Sequence, residues 1–262
     1  VLGVAPLFAP LLGAALLELA GWQSIFLVLA LFGLLLGLAA RALLPETRSA
    51  ETASRARGET PARSYLAAVA DRRVLGFVLA GAANGTAFFA YIAGSPLLFM
   101  GYFGLGSLAF SLAFALNAAG LIGMAQLNRA LVRRFSPGKL LLVGATGAAL
   151  SAAVLLLVVR TGDPGLPLAF GLIFLAISSY GLVSANSMAL ALARMPERAG
   201  TVSALIGAVS LGAGALSTLW ASTGPGDVLD VIALQMAAGF TAQLLILLFI
   251  ARPLGPGVAR PQ

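Results

Sequence analysis

The fold of this chain is decided by stretches such as residues 133–160, which read RRFSPGKLLLVGATGAALSAAVLLLVVR. No charged residue lies between Lys139 and Arg160, and two arginines begin the stretch. An α-helix rises about 1.5 Å per residue, so about 20 apolar residues cross the hydrocarbon core of a bilayer, which is about 30 Å thick. The stretch therefore predicts a helix that spans a membrane, with basic residues at its ends.

The same pattern recurs along the whole chain of 262 residues, of which 60% are hydrophobic and 10% are charged. An ordinary soluble domain has about 25% charged residues, so this composition excludes a soluble globule. Connections containing charges, Pro and Gly separate the apolar runs. The eight predicted spans are Leu2–Leu19, Ile25–Leu44, Val74–Met100 (tilted or broken at Pro96), Leu108–Leu127, Leu140–Val159, Leu168–Leu192, Thr201–Ser222 and Val228–Ile250.

The basic residues predict the orientation of these spans. Every lysine and arginine except Arg160 falls in alternate connections, on one side of the predicted zigzag. The positive-inside rule makes that side cytoplasmic, so both ends of this chain are predicted to lie in the cytoplasm. The basic excess is spread over four connections without interleaved aromatic residues, and we therefore expect no binding of nucleic acid.

Several short motifs resemble those of one transporter family. Residues 5–14, APLFAPLLGA, are similar to the end of the antiporter motif of a fifth helix, and residues 21–26 (GWQSIF) and 44–47 (LPET) bracket the second run as they bracket a sixth helix. The stretches YIAGSP, FALNAAG and AGTVSALIG, at residues 91–96, 114–120 and 199–207, complete the pattern. Together they resemble the Bcr/CflA drug-resistance branch of the major facilitator superfamily.

The resemblance implies an all-α membrane protein with the major facilitator superfamily fold, in which two six-helix bundles are joined by a cytoplasmic connection. About eight of the expected twelve transmembrane helices would be present. Residues 1–44 would be the last two helices of the N-terminal bundle, residues 45–73 a mobile cytoplasmic linker, residues 74–251 the C-terminal six-helix bundle and residues 252–262 a cytoplasmic tail. The expected location is a bacterial inner membrane.

The implied function is secondary active transport, namely proton-coupled efflux of drugs or other small amphipathic compounds by alternating access. The full-length protein is expected to be a monomer in the lipid bilayer, without a cofactor. The sequence has no Cys and no His, which disfavours a metal site, a Cys nucleophile and an imidazole base, so we do not expect an enzyme. Other classes stay open: a membrane subunit of a larger permease complex, an intramembrane enzyme, or an inactive truncated transporter.

Polar and aromatic residues that share helical faces are the candidates for a substrate cavity. In the third predicted span they recur at steps of four, three and four, which places them on one stripe. The candidates for substrate binding are Asn84, Phe88, Tyr91, Ser95, Phe114, Asn117, Ser179 and Asn186. Helix packing is the alternative role for each of them, since Asn, Ser and Gly often bring membrane helices together.

Two further features of the apolar runs bear on mechanism. Pro6, Pro10 and Gly13 belong to the helix that carries the antiporter-like motif, and we expect them to bend or thin it. No Asp or Glu lies in the middle of any predicted span, although a proton-coupled carrier requires a protonatable group within the membrane. The resemblance therefore places the expected coupling carboxylate in helices upstream of Val1.

Overall fold

The computed structural model of the chain describes residues 5–43, 60–223 and 226–254, without the side chains of residues 5–11, 14, 222 and 223. The chain divides into two units, Val1–Glu59 and Thr60–Gln262. The predictions about residues 1–4, most of the linker (residues 44–59) and most of the tail (residues 255–262) lie outside the described residues.

The first unit contains two helices, α1 at Ala5–Ala20 and α2 at Trp22–Leu43. Gly21 separates them in the left-handed region, with a φ of 75°, a conformation that glycine adopts without steric cost. Ser24 stabilises this turn between the helices, because its Oγ donates a hydrogen bond to the carbonyl of Leu16 at 3.0 Å. No residue of α2 is buried, and exposed leucines cover its length, as expected of a helix whose surroundings are lipid.

The second unit is a bundle of long helices preceded by a short one. Its helices are α3 (Pro61–Ala70), α4 (Arg72–Pro96), α5 (Ser107–Leu131), α6 (Pro137–Thr161), α7 (Gly165–Arg194), α8 (Ala199–Thr223) and α9 (Val228–Ile246). Two π-helical segments, Leu97–Tyr102 and Leu247–Ala251, continue α4 and α9, and a 3₁₀ turn at Pro196–Arg198 precedes α8. The described residues contain no strand, so the predicted all-α fold is confirmed.

Seven of the helical stretches in the described part of the chain are long and apolar enough to cross a membrane. They correspond to seven of the eight predicted spans, and α1 has 16 described residues. The third predicted span changes from α-helix to π-helix directly after Pro96, because proline has no N–H to donate to the preceding turn. Helix α3 lies within the predicted linker, where the sequence analysis had placed no helix.

The six long helices of the second unit pack in a definite order. Helix α4 lies between α8 and α9, α9 also contacts α6, and α7 lies between α6 and α5. Two clusters of buried apolar side chains fill the bundle. One includes Tyr91, Phe99, Ile173 and Phe240, and the other includes Val74, Phe77, Leu141, Leu190 and Leu247.

Glycines permit the closest approaches between these helices. A Cβ added to Gly85 would overlap the backbone carbonyl of Ser210 on α8, and one added to Gly239 would lie 2.7 Å from the carbonyl oxygen of Ala83. Hydrogen bonds cross the same contacts: Ser217 donates from Oγ to the carbonyl of Thr86 at 2.7 Å. Small residues and single interhelical hydrogen bonds are the usual means by which membrane helices associate, because lipid offers no hydrophobic driving force between them.

Ion pairs lie at the ends of the spans. Arg160, the one basic residue on the sparsely charged side of the predicted topology, pairs with Asp230 at 2.7 Å and so joins the end of α6 to the start of α9. At the opposite end of the bundle, Asp71 pairs with Arg194 at 3.0 Å. Asp71 also caps α4, since its Oδ1 accepts from the backbone N–H of Arg73 at 2.9 Å and of Val74 at 3.1 Å.

These contacts set the pKa of Asp71. Burial alone would raise the pKa of the carboxyl, but the hydrogen bonds from the Val74 N–H and the Arg194 guanidinium outweigh burial. The pKa of Asp71 therefore lies below its ordinary value of 3.8, and the carboxylate keeps its charge at neutral and mildly acidic pH.

The contact at Gly85 predicts a stability effect. Gly85→Ala places a Cβ against a backbone carbonyl that a rotamer change cannot move aside, so it should destabilise the protein by about 1–3 kcal/mol. Gly123→Ala on α5 is the matched control, because no atom lies within 4 Å of its added Cβ and helix propensity improves. The temperature of unfolding in detergent should fall only for Gly85→Ala. Equal temperatures for the two variants would contradict the α4–α8 packing.

The Asp71 pair predicts a dependence of stability on pH. Asp71→Asn keeps a side chain that can cap the helix but removes the charge, and the exposure of Arg194 limits the loss of stability to about 1 kcal/mol or less. A lowered folded-state pKa means that the carboxylate contributes stability above its ordinary pKa and loses it as the pH falls through the folded value. Thermal unfolding of the two proteins should therefore differ at neutral pH and converge only below pH 3.8.

The control for this comparison is Asp163→Asn, at a carboxylate that accepts from the backbone N–H of Gly165 at 2.9 Å. This change should alter stability less at neutral pH, since Asp163 makes no ion pair among the described residues that the substitution would remove. A difference between wild type and Asp71→Asn that has already vanished at mildly acidic pH would show that the ion pair is not the cause.

Candidate functional site

The predicted stripe on α4 runs through the buried side of that helix. Asn84, Tyr91 and Ser95 are buried, and Phe88 is half-buried. Phe88 and Tyr91 present aromatic rings toward neighbouring helices, as described below. Ser95 differs, because its Oγ donates to the carbonyl of Ile92 on its own helix at 3.1 Å and the residue is fully buried.

Four aromatic rings join α4 to two other helices. Phe88 stacks on Tyr180 of α7, with ring centroids 4.7 Å apart and an interplanar angle of 15°. Tyr91 stacks on Phe114 of α5 at 6.1 Å and 9°. We call these four residues the aromatic cluster. A stacked pair contributes about 0.5–1.5 kcal/mol of stability beyond the contribution of its buried area. The cluster therefore helps to hold α4, α5 and α7 together.

Several buried polar atoms without a hydrogen-bond partner in the described structure lie on the same three helices: Oδ1 of Asn84 and Oη of Tyr91 on α4, Oδ1 of Asn117 on α5 and Oγ of Ser178 on α7. The side-chain oxygens of Gln235 and Gln243 on α9 also lack a partner. A buried polar atom that makes no hydrogen bond costs about 1–3 kcal/mol. Such atoms within a membrane bundle are therefore candidates for hydrogen bonds to a bound molecule.

The amide of Asn117 has a defined direction. Its Nδ2 donates to the carbonyl of Ala113 at 3.0 Å, which leaves Oδ1 as the unpartnered acceptor. One turn later, Gly120 lies so close to α7 that an added Cβ would overlap Oγ of Ser178 and the ring of Phe174. The α5–α7 contact therefore places Ser178 beside Gly120, one turn along α5 from Asn117.

Two of the predicted site residues make contacts away from the aromatic cluster. Asn186 donates from Nδ2 to Oδ1 of Asn128 at 2.7 Å and thus connects α7 to α5. Ser179 donates to the carbonyl of Leu175 at 2.8 Å, and its Oγ would lie 3.1 Å from a Cβ added to Gly147, so it faces α6. The structure thus joins α4 to α5 through Tyr91 and Phe114, with Asn84 one turn from Phe88 and Asn117 one turn from Phe114. Ser179 and Asn186 make other contacts, and Ser95 bonds to its own helix.

Tyr180 is the cluster residue that the sequence analysis missed. The seven-residue spacing of Ser179 and Asn186 predicted that a different face of α7 lines the site. In the structure that face packs on neighbouring helices. An available signal was the residue type itself, because Tyr180 places a hydroxyl within an otherwise apolar and small-residue run. Aromatic residues of this kind frequently line binding sites for small molecules.

The predicted α1 residues lie in the first unit. Pro6, Pro10 and Gly13 fall within the helix Ala5–Ala20, and the proline side chains lie outside the described part. No atom lies within 4 Å of a Cβ added to Gly13. Within the described residues, no group of three or more Asp or Glu side chains could hold a metal ion.

A bundle of long apolar helices with ion pairs at the ends of its spans defines a multi-pass membrane protein of the all-α class. The profile of the Major Facilitator Superfamily matches residues 1–218, and the chain belongs to this superfamily.

The chain is also similar to individual relatives. It is 30% identical over 213 residues to the "Bicyclomycin resistance protein homolog" of Haemophilus influenzae, covering 81% of this chain and 53% of that protein. It is 31% identical over 215 residues to the "Uncharacterized MFS-type transporter YdgK" of Bacillus subtilis, covering 79% and 52%. The "Multidrug resistance protein MdtL" of Salmonella typhi is 25% identical over 236 residues, covering 90% and 57%.

These relatives confirm the resemblance to the drug-resistance branch. The chain spans about half the length of the curated relatives it matches.

Proposed function

We propose that the protein is a secondary active carrier that exports small amphipathic compounds, and that the aromatic cluster with Asn84 and Asn117 contributes to substrate binding. The observation that carries the proposal is the meeting of stacked rings and unpartnered buried acceptors on three membrane-spanning helices. Transporter sites near the bilayer midplane are built from such inward-facing side chains of several helices. The names of two relatives, which refer to bicyclomycin and multidrug resistance, support efflux as the direction of transport.

The chemistry of the site favours one class of substrate. The rings of the cluster offer apolar faces, and the amide oxygens of Asn84 and Asn117 accept hydrogen bonds. The cluster contains no charged side chain. Rings with a few acceptors suit poorly hydrated compounds that carry hydrogen-bond donors, whereas a sugar requires a denser set of polar contacts. We therefore propose that the substrates are uncharged or weakly charged amphipathic molecules with exposed donors.

The proposed mechanism is alternating access. The three spans from α4 to α6 and the three from α7 to α9 run in opposite directions across the membrane, since three crossings reverse the orientation of the chain. Such inverted repeats allow one bundle to rock against another around a fixed binding site. In this proposal α1 and α2 belong to the other bundle, and both ends of this chain lie in the cytoplasm.

We further propose that protons drive export and that the coupling carboxylate lies outside the described spans. The described acids support this, because they lie near helix ends and in connections: Glu18, Asp71, Asp163, Glu197, Asp227 and Asp230. A carboxylate that carries a proton across the membrane is expected within a span, and none of these lies in the middle of one.

Removal of one acceptor tests the binding site. Asn117→Leu removes the unpartnered oxygen at nearly constant volume, so a substrate that donates to it should bind about tenfold more weakly. Gln126→Leu is the matched control, since it removes an exposed amide from the same helix. The affinity of purified protein for bicyclomycin, measured by calorimetry in detergent, should fall for Asn117→Leu alone. Equal affinity for wild type and Asn117→Leu would reject this residue as a binding group.

A protonophore tests the driving force. Cells that express the protein at its full natural length should lose drug export when the proton gradient is collapsed, because a secondary carrier has no other energy source in this proposal. Drug accumulation is measured with ATP levels held constant. Export that continues unchanged after the gradient is gone would reject proton coupling.

A further inference from the structure

Three helix ends meet at Arg252, the residue that follows the π-helical end of α9. A Cβ added to Gly76 on α4 would overlap the backbone of Ala251. One added to Gly138 on α6 would overlap the carbonyl of Pro253. Arg252 lies between Ala251 and Pro253 in the chain, so the starts of α4 and α6 flank it. Its own side chain is exposed, where the membrane-spanning segment of α9 ends.

The backbone of Arg252 has an unusual conformation. Its φ is 49°, and no other non-glycine residue of the described ranges has a positive φ. Helices often end on a residue in this left-handed region, which is usually glycine because a Cβ is disfavoured there. The backbone N–H of Arg252 donates to the carbonyl of Leu247 at 2.8 Å and closes the π-helical segment. An arginine where the backbone favours glycine indicates that its side chain has a function.

Two guanidinium groups converge at this junction. Arg252 donates from Nε to the carbonyl of Phe249 at 3.2 Å, and Arg72 donates from Nη2 to the same oxygen at 3.4 Å. A backbone carbonyl has no net charge, so it does not neutralise two cations that repel each other. Neither arginine forms an ion pair with a described residue, and the adjacent carboxylate of Asp71 pairs with Arg194. Each guanidinium group has further N–H donors that an anion could use.

The start of α6 adds positive charge to the junction. Lys139 is exposed in the first turn of α6, and the side chain of Ser136 does not cap this helix. A helix N-terminus carries partial positive charge, which favours an anion. The end of α9 carries the opposite partial charge, but the hydrogen bonds from Arg72 and Arg252 to its carbonyl offset it. The electrostatic balance of the junction is therefore positive.

Exposed apolar side chains lie next to the two arginines. The exposed fractions of Phe249 and Leu254 are 61% and 56%, and Phe249 belongs to a stretch that is long and apolar enough to cross a membrane. Guanidinium groups favour phosphate, because their planar N–H groups match its oxygens. A phosphate that carries acyl chains would use both the arginines and the apolar surface, whereas inorganic phosphate would use only the arginines.

We propose that Arg72, Lys139 and Arg252 form a binding site for the phosphate of an anionic phospholipid. The two arginines donate to the phosphate oxygens, Lys139 adds positive charge, and an acyl chain lies against Phe249. Basic pockets between the ends of membrane helices suit such headgroups. A bound headgroup reduces the repulsion between the arginines and holds the ends of α4, α6 and α9 together. The site requires neither the aromatic cluster nor the proposed transport.

Native mass spectrometry of the purified protein in detergent tests the site, with phosphatidylglycerol as the anionic probe. Arg72→Gln and Arg252→Gln should each weaken phosphatidylglycerol binding about tenfold, because each removes charged hydrogen bonds to phosphate. Arg129→Gln is the matched control, since it removes an exposed arginine from the last turn of α5, which packs mainly on α7. An equal loss of affinity with Arg129→Gln would show that only the net charge matters, and would overturn the proposal.

Arg252→Gly separates lipid binding from a role in folding. Glycine adopts a φ of 49° without steric cost, so the unfolding temperature in detergent without added lipid should not fall. The affinity for phosphatidylglycerol should still fall about tenfold. Binding as tight as that of the wild type would overturn the proposal. A lower unfolding temperature without lipid, accompanied by lost binding, would contradict it too, because that result indicates a structural role for the arginine.

The last comparison distinguishes a lipid from a soluble anion. A ligand that binds the folded protein raises its unfolding temperature, so this temperature is measured with phosphatidylglycerol, phosphatidylcholine or sodium phosphate, the last against sodium chloride of equal ionic strength. Phosphatidylglycerol should give the largest rise in the wild type and a much smaller one in Arg252→Gly. An equal rise with sodium phosphate would assign the site to a soluble anion, and an equal rise with phosphatidylcholine would show that headgroup charge is not recognised. Either result would overturn the proposal.

Discussion

The structure depends on one constraint: a polypeptide backbone within a bilayer has no water to satisfy its N–H and C=O groups. Each span must therefore satisfy them internally, which helices do. The chain meets this requirement with long uncharged runs, and its ion pairs lie at the ends of the spans, as Arg160–Asp230 and Asp71–Arg194 show. The orientation, the order of the helices and the position of the candidate site all depend on this division between apolar spans and charged ends.

Lipid also removes the usual reason for helices to associate, since apolar side chains lose nothing by facing lipid tails. Close contacts at Gly85, Gly181 and Gly239 and hydrogen bonds such as Ser217 to Thr86 hold the bundle together. The aromatic cluster lies among these contacts but differs in one respect. Its region contains acceptors without protein partners, whereas the Asn128–Asn186 bond satisfies donor and acceptor together. Unpartnered oxygens also occur at Gln235 and Gln243, whose amides donate to neighbouring helices, so the combination of such oxygens with stacked rings is what distinguishes the candidate site.

The sequence predicted those features that follow from local chemistry. Apolar length located seven of the helices, and Pro96 marked the place where the third span departs from a regular α-helix. Regular spacing placed Asn84, Phe88 and Tyr91 on one face. It could not show which neighbour each face meets, because that depends on tertiary packing. Ser179 therefore proved to face α6, and Tyr180 was missed. Helix α3 was not predicted, because its ten residues lie in a charged connection rich in Ser and Thr. That composition is typical of a linker.

The central claim is that α6 crosses the membrane with Arg133 on the cytoplasmic side and Gly162 on the opposite side. Single cysteines at these two positions, treated in intact cells with a membrane-impermeant maleimide, test it most directly. The account predicts that Gly162→Cys reacts at once and that Arg133→Cys reacts only after the cells are permeabilised. Reaction of both positions, or of Arg133→Cys alone, in intact cells would contradict the account.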